Sequence, residues 1–316
     1  MLAAIKKMLP VVCWLFTGVS AFAQPGTPPP ADTTPLPDTS APSDDGGPTG
    51  KETTVGYIDS ALPLSQFRLR YDAAYDFQRT TRSEFFWARS INPGVPRPET
   101  RVDYQEVSAY LEYAPAQRLS LFIEGPYRFL NPQLNDNTSG FGDMNTGFKW
   151  AFLDECAWTA TFQLRTYIPT GAASHGLGTH HVSLEPALLA QYRVSEKLRL
   201  EGELRYWVPI GGTDFAGDVI RYGLGVSYGQ RNPDGFWLTP VVEFVGWTAL
   251  GGKELVPLSP TLFVVQGASG DTIVNGKLGV RFGFGSHADV YAGYGRALTG
   301  ATWYTDTFRV EFRLLF

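Results

Sequence analysis

The chain has almost no cysteine. Of its 316 residues only Cys13 and Cys156 carry a thiol. Cys13 falls in a leader-like stretch, so a processed chain has no partner for an intramolecular disulfide. Basic charge is short as well: 26 Lys+Arg face 31 Asp+Glu, a balance that argues against a nucleic-acid partner. Also missing is any uninterrupted apolar run of the roughly 20 residues that a spanning helix needs. If this chain crosses a membrane, it crosses with strands. Histidine is scarce, and three of the four, His175, His180 and His181, crowd one Gly-rich stretch. No acid or thiol follows them at a defined interval, so we expect neither a metal site nor a cofactor.

Residues 1–23 read as a secretory signal. Lys6 and Lys7 give a positive n-region, Met8 to Val19 a short apolar core, and Ala21-Phe22-Ala23 a cleavage site before Gln24. The residues before Cys13 lack the small side chains that precede a lipidated cysteine, so no lipid anchor is expected. The leader holds two lysines and no acid; its removal leaves 24 Lys+Arg against 31 Asp+Glu, a net charge of −7. Gln24 to Gly50 then contains eight prolines, four aspartates and four glycines, with hardly any large apolar side chain. Such a stretch buries too little surface to offset its chain entropy. Residues 24–55 are therefore expected to be a disordered, Pro-rich tether, and 56–316 the folded unit.

From there the dominant signal is period-two alternation. Phe67, Leu69, Tyr71, Ala73, Tyr75 and Phe77 fall on one face, and Arg68, Arg70, Asp72, Ala74, Asp76 and Gln78 on the other. A helix would scatter these residues; a strand separates them. Leu198–Pro209 and the last residues, Phe308 to Phe316, repeat the pattern. Twelve strands are expected near 66–78, 102–113, 119–128, 141–152, 158–168, 182–192, 198–208, 219–228, 236–247, 272–284, 288–295 and 303–316. Most have the length that crosses a hydrocarbon core when tilted.

The connections alternate in length. Residues 79–101, 129–140, 169–181, 209–218, 248–271 and the shorter 296–302 form loops, with tight turns near Pro115, Asp154, Ser195, Asn232 and Ser286. An even strand number with both ends on the short-turn side is the arrangement of an outer-membrane β-barrel, turns periplasmic and loops outside. The fold class expected is thus all-β: a transmembrane antiparallel barrel of about twelve strands, its tether in the periplasm and its outer face in membrane lipid. Trp150/Phe152, Trp158, Tyr167, Tyr206/Trp207, Phe236/Trp237, Trp247 and Trp303/Tyr304 lie near strand ends, where interfacial aromatic girdles are expected. The terminal Phe316, with alternating apolar residues before it, resembles the signal read by barrel-assembly machinery. A soluble barrel with the apolar face inward is the competing fold; it accounts for neither the loop alternation nor Phe316.

Several motifs stand in a fixed order: Ser139-Gly140-Phe141-Gly142-Asp143 leading to Gly147 and Lys149, Ile168-Pro169-Thr170-Gly171, Gly176-Leu177-Gly178, then Leu184-Glu185-Pro186. This series resembles a family of outer-membrane transporters named for the meta-cleavage pathway of phenol degradation. Gly56-Tyr57-Ile58-Asp59-Ser60 with Phe67-Arg68-Leu69-Arg70-Tyr71 is similar to an uncharacterised branch of such barrels. The Asp that often follows Pro-Thr-Gly is Ala172 here. The resemblance implies passage of small solutes, hydrophobic or aromatic ones among them. Read physically, the glycines permit bends and close strand approach, and Pro169-Thr170-Gly171 closes a strand at the rim.

With lipid on the apolar face, the other face lines the lumen. The candidates are Arg68, Arg70, Asp72, Asp143, Lys149, Arg165, Glu185, Arg199, Glu201, Glu203, Arg205, Arg221, Lys277, Arg281, Arg309, Glu311 and Arg313, together with Asp76, Glu112, Glu124 and Glu243. Mixed signs imply weak ion selectivity. Twelve strands lie between the packed eight-stranded and the open sixteen-stranded cases, so a narrow channel and an occluded structural barrel both fit; the channel is the favoured reading. An enzyme is not expected. The alternative is an outer-membrane esterase using His181 and Ser183, since alternation puts both on one face. The known phospholipase of this kind works on the lipid side, however, which Val182, Leu184, Pro186 and Leu188 claim here.

Overall fold

The structure, a computed structural model, describes residues 52–77, 94–99, 101–259, 262–299 and 303–316. The leader, residues 24–51 of the tether and most of the first long loop lie outside them. Strands follow in the order β1 (Gln66–Phe77), β2 (Val102–Ala116), β3 (Leu119–Pro132), β4 (Thr138–Phe141), β5 (Met144–Asp154), β6 (Trp158–Ile168), β7 (Val182–Arg193) and β8 (Leu198–Ile210). Then come β9 (Val219–Tyr228), β10 (Phe236–Ala249), β11 (Lys253–Ser259), β12 (Leu262–Gly267), β13 (Thr272–Phe284), β14 (Ala288–Ala297) and β15 (Asp306–Leu315).

The wall runs β2-β1-β15-β14-β13-β10-β9-β8-β7-β6-β5-β3, every pair antiparallel, and the β2–β3 pairing closes the ring. β4 pairs with β3 beyond the end of β5 and completes the same stave. The described residues thus form a closed barrel of twelve staves, as the alternation predicts. The seam is tied at the short-turn end, where the Phe316 amide donates to Ser65 O at 3.1 Å. Closure leaves no unpaired edge, which is how a sheet survives in lipid.

Two departures have local causes. The long loop after β10 carries its own hairpin, β11 paired with β12, because Leu255, Val256, Val264 and Val265 suit a strand. In β1 a bulge sets Tyr75 and Asp76 against the single residue Asp103, with Asp76 at φ 54°. The parity flips there. Phe77, expected on the lipid face, instead packs inward beside Val95, Val102, Leu130 and Leu177. Asp76, expected in the lumen, pairs with Arg101 at 2.8 Å in a half-exposed bridge.

Elsewhere the two faces are cleanly sorted. Leu111, Leu121, Leu224, Phe244, Leu278 and Val310 are exposed on the outside, whereas Glu112, Lys149, Glu201, Arg205, Glu243 and Arg281 are buried within. An apolar outer surface on every stave is unfavourable against water and favourable against hydrocarbon.

Candidate functional site

Inside the barrel lies a segment that contributes no stave. Residues 52–65 begin at the short-turn end, where Glu52 meets Arg199 at 3.1 Å. They rise to Gly56–Asp59 and descend to Ser65, whose Oγ accepts from Ala114 N. The segment has no regular secondary structure, so its main chain needs partners from elsewhere. The wall supplies them. Glu201 accepts from Thr54 N (3.2 Å), Glu243 from Gly56 N (3.2 Å), Tyr57 N (2.9 Å) and Ile58 N (3.0 Å), and Glu203 from Asp59 N (3.0 Å). Arginines take the carbonyls: Arg313 donates to Thr53 O, Arg281 to Thr54 O and Val55 O, Arg309 to Gly56 O and Arg221 to Tyr57 O.

The strap has one charged side chain near its crest, Asp59, and two arginines meet it. Arg205 lies 2.6 Å and Arg165 2.7 Å from its carboxylate. Apolar packing completes the fit. Val55, Tyr57 and Ile58 cluster with Val241, Val245 and Tyr291, and Ala61 with Ala187 and Leu189. Inner-face glycines make the room: a Cβ on Gly223 would lie 2.5 Å from Ile58 Cγ2, and one on Gly225 2.8 Å from Val55 Cγ1.

All the lumen candidates except Asp76 and Asp143 occupy inner-face positions, most of them buried. They brace one another as well as the strap. Arg309 forks onto Asp72, Lys149 meets buried Glu112 at 3.1 Å, and Arg70 bonds Glu124. Arg68 faces Glu311 at 3.6 Å, and Arg205 also holds Glu185 and Glu203. Asp289, absent from the sequence-derived set, is a hub: Arg231, Arg281 and Arg313 all reach it within 2.7 Å. In the short turn, burial pulls the Arg231 guanidinium below its ordinary range, with Asp289 opposing that effect.

The aromatic girdles need correction. Trp150, Trp158 and Phe236 do face outward. Trp237 and Tyr304 are instead buried, and Tyr167 stacks on Trp207 with its hydroxyl on lumen-facing Glu185. Trp247 packs against the strap cluster and lies 5.1 Å from Trp303. The long-loop end of the lumen is therefore lined with rings, at a level where strand-end position alone suggested lipid contact.

Residues 101–304, more than half of the chain, match the family model described as "Putative MetA-pathway of phenol degradation". The chain belongs to that family. No curated protein matches it by sequence. Among solved structures it is similar to the COG4313 outer membrane channel from Pseudomonas putida F1, with 12% identity and a TM-score of 0.53 over 84% of this chain and 100% of that one. The NanC porin covers 78% of this chain and 100% of its own at 10% identity, with a TM-score of 0.47. At these identities the likeness is one of fold.

Three of the motifs that carry the family resemblance, Gly142-Asp143, Pro169-Thr170-Gly171 and Gly176-Leu177-Gly178, meet in one knot at the long-loop rim. Gly142 and Asp143 interrupt the stave between β4 and β5. The Asp143 carboxylate leaves the wall to accept from Gly171 N (3.0 Å), Thr179 N (2.8 Å) and Thr179 Oγ1 (2.9 Å). Gly178 is required there, since a Cβ would lie 2.4 Å from Asp143 Oδ1. Asp143, expected in the lumen wall, thus pins loop 169–181. Asp143→Ala should leave two loop amides without an acceptor, at roughly 1–3 kcal/mol each. Limited proteolysis should then cut this loop faster while the barrel stays intact. His181 and Ser183 both face inward, and the His181 ring Nδ1 lies 3.1 Å from Thr179 O.

Proposed function

We propose that this family member is an outer-membrane channel for small solutes, aromatic ones among them, held shut here by residues 52–65. The strap supports this reading. All twelve staves are paired without it, so the part before Ser65, whose carbonyl holds the Phe316 amide, can leave without breaking a ladder hydrogen bond. A barrel with a purely structural interior has no need of a removable filling held by side-chain contacts to its main chain. Because both ends of the strap lie at the short-turn end, which faces the periplasm in such barrels, it withdraws in that direction. The ionised groups it abandons become the wall of a hydrated path.

Single-channel recording of refolded protein tests the reading. Replacing Arg68 and Arg70 with glutamine leaves Glu311, Glu124 and Asp72 with fewer cationic partners. In a KCl gradient the reversal potential should shift towards cation selectivity. Absence of conductance even after strap removal would favour the occluded structural barrel. Ser183-dependent lipid hydrolysis without conductance would favour the esterase.

A further inference from the structure

Beside the crest of the strap, β13 presents two polar side chains whose chemistry neither the wall nor the strap uses up. Lys277 is 4% exposed. Its ammonium donates to the Tyr304 hydroxyl at 2.8 Å and sits 3.6 Å above the Tyr57 ring. Among the described residues no carboxylate comes within salt-bridge distance of it. Glu243, opposite it in register, is spent on three strap amides and the Tyr291 hydroxyl. Asp72 is held by Arg309. A buried ammonium with no counter-ion is costly.

One step further towards the long-loop end, on the same inner face, lies Asn275. It is fully buried, and among the described residues neither its carboxamide nitrogen nor its oxygen has a hydrogen-bond partner. A buried carboxamide with its hydrogen-bonding capacity unused costs several kcal/mol in the absence of a ligand or water. Two residues along a strand separate the two Cα atoms by about 6.7 Å, a span that one small anion bridges with the lysine side chain extended towards it. The neighbouring positions are small: Asn275 pairs with Ala297 and Lys277 with Gly295. Beyond Asn275 stand Trp247 and Trp303, rings 5.1 Å apart.

We propose that Lys277 and Asn275 form a binding site for a small organic carboxylate with a flat apolar body, at the outer end of the lumen above the strap. The ammonium supplies the counter-charge and the carboxamide NH2 a second donor to the same carboxylate. The indole faces of Trp247 and Trp303 take the ring, as aromatic faces favour offset or edge contacts. The site deepens the channel reading by giving the solute a stopping point, yet its occupancy does not require conduction.

Benzoate is the probe. In detergent-solubilised full-length protein it should quench tryptophan emission saturably, and calorimetry should give one site per chain. Asn275→Ala should weaken benzoate about tenfold, the loss of one good charge-assisted bond. Lys277→Met should abolish binding, and Lys277→Arg should retain most of it; the heat-dependent gel shift of each variant reports that the barrel is intact. Benzyl alcohol should bind at least tenfold more weakly than benzoate. Equal binding of benzyl alcohol and benzoate, displacement of benzoate by an equal concentration of chloride, or undiminished binding in the Lys277→Met/Asn275→Ala double variant would each overturn the site. Conductance without benzoate binding removes the site and leaves the channel; benzoate binding without conductance does the reverse.

Discussion

Deleting residues 24–64 should raise single-channel conductance at least severalfold and leave the barrel folded. The strap fills the centre of the lumen at Gly56–Asp59, where Glu203, Glu243, Arg205 and Arg309 converge on it. Its loss removes no ladder hydrogen bond, because the staves pair only with each other. Water then reaches the abandoned charges, so their desolvation penalty falls as the strap contacts vanish. Stability should drop modestly, read as a lower temperature for the heat-dependent gel shift. Failure of the deleted form to assemble would mean that the strap templates the barrel, and its role as a removable stopper would have to be given up.

Glu243→Ala should release the strap without deleting it. Three consecutive amides, Gly56, Tyr57 and Ile58, donate to this one carboxylate, and no other acceptor is arranged for them. At about 1 kcal/mol or more for each orphaned donor, the docked state loses about 3 kcal/mol, roughly a hundredfold in population. In a Cys156→Ser background, labelling of an introduced Ile58→Cys by a maleimide added from the short-turn side should accelerate to a similar degree. Glu243→Gln keeps one acceptor oxygen and should fall between the two. Unchanged labelling in Glu243→Ala would show that apolar packing of Val55 and Ile58 alone holds the strap.

Strand number, strand order and the inner-face charges were legible because a closed barrel writes a period of two into every stave. Arg199, Glu201, Glu203 and Arg205 could hardly be arranged otherwise beside Leu200 and Leu204. The strap was not legible by that route. It has no ladder and therefore no period, and its partners lie far along the chain: Thr53 and Glu201 are 148 residues apart. A trace of it is present all the same. Gly223 and Gly225 leave the middle of the inner face of β9 without side chains, which a barrel filled by its own wall would not do.

The aromatic residues teach a different lesson. Trp207 shares parity with Arg205, and Trp247 with Glu243, so alternation already pointed them inward. Position near a strand end does not override that parity. Phe77 and Asp76 are the opposite case: the alternation continues through them in sequence, and a bulge with no clear sequence signature reverses it.

If residues 52–65 close this barrel, a reversible cross-link shows it within one molecule. A Cβ on Gly223 would lie 2.5 Å from Ile58 Cγ2, which puts the two Cβ atoms within about 4 Å of each other, inside the range for a disulfide. Ile58→Cys with Gly223→Cys, in a Cys156→Ser background, should therefore oxidise readily. Conductance recorded before and after a reductant is the measurement. The oxidised barrel should be silent and reduction should restore openings; an oxidised barrel that conducts as well as the reduced one would show that the strap is not what closes it.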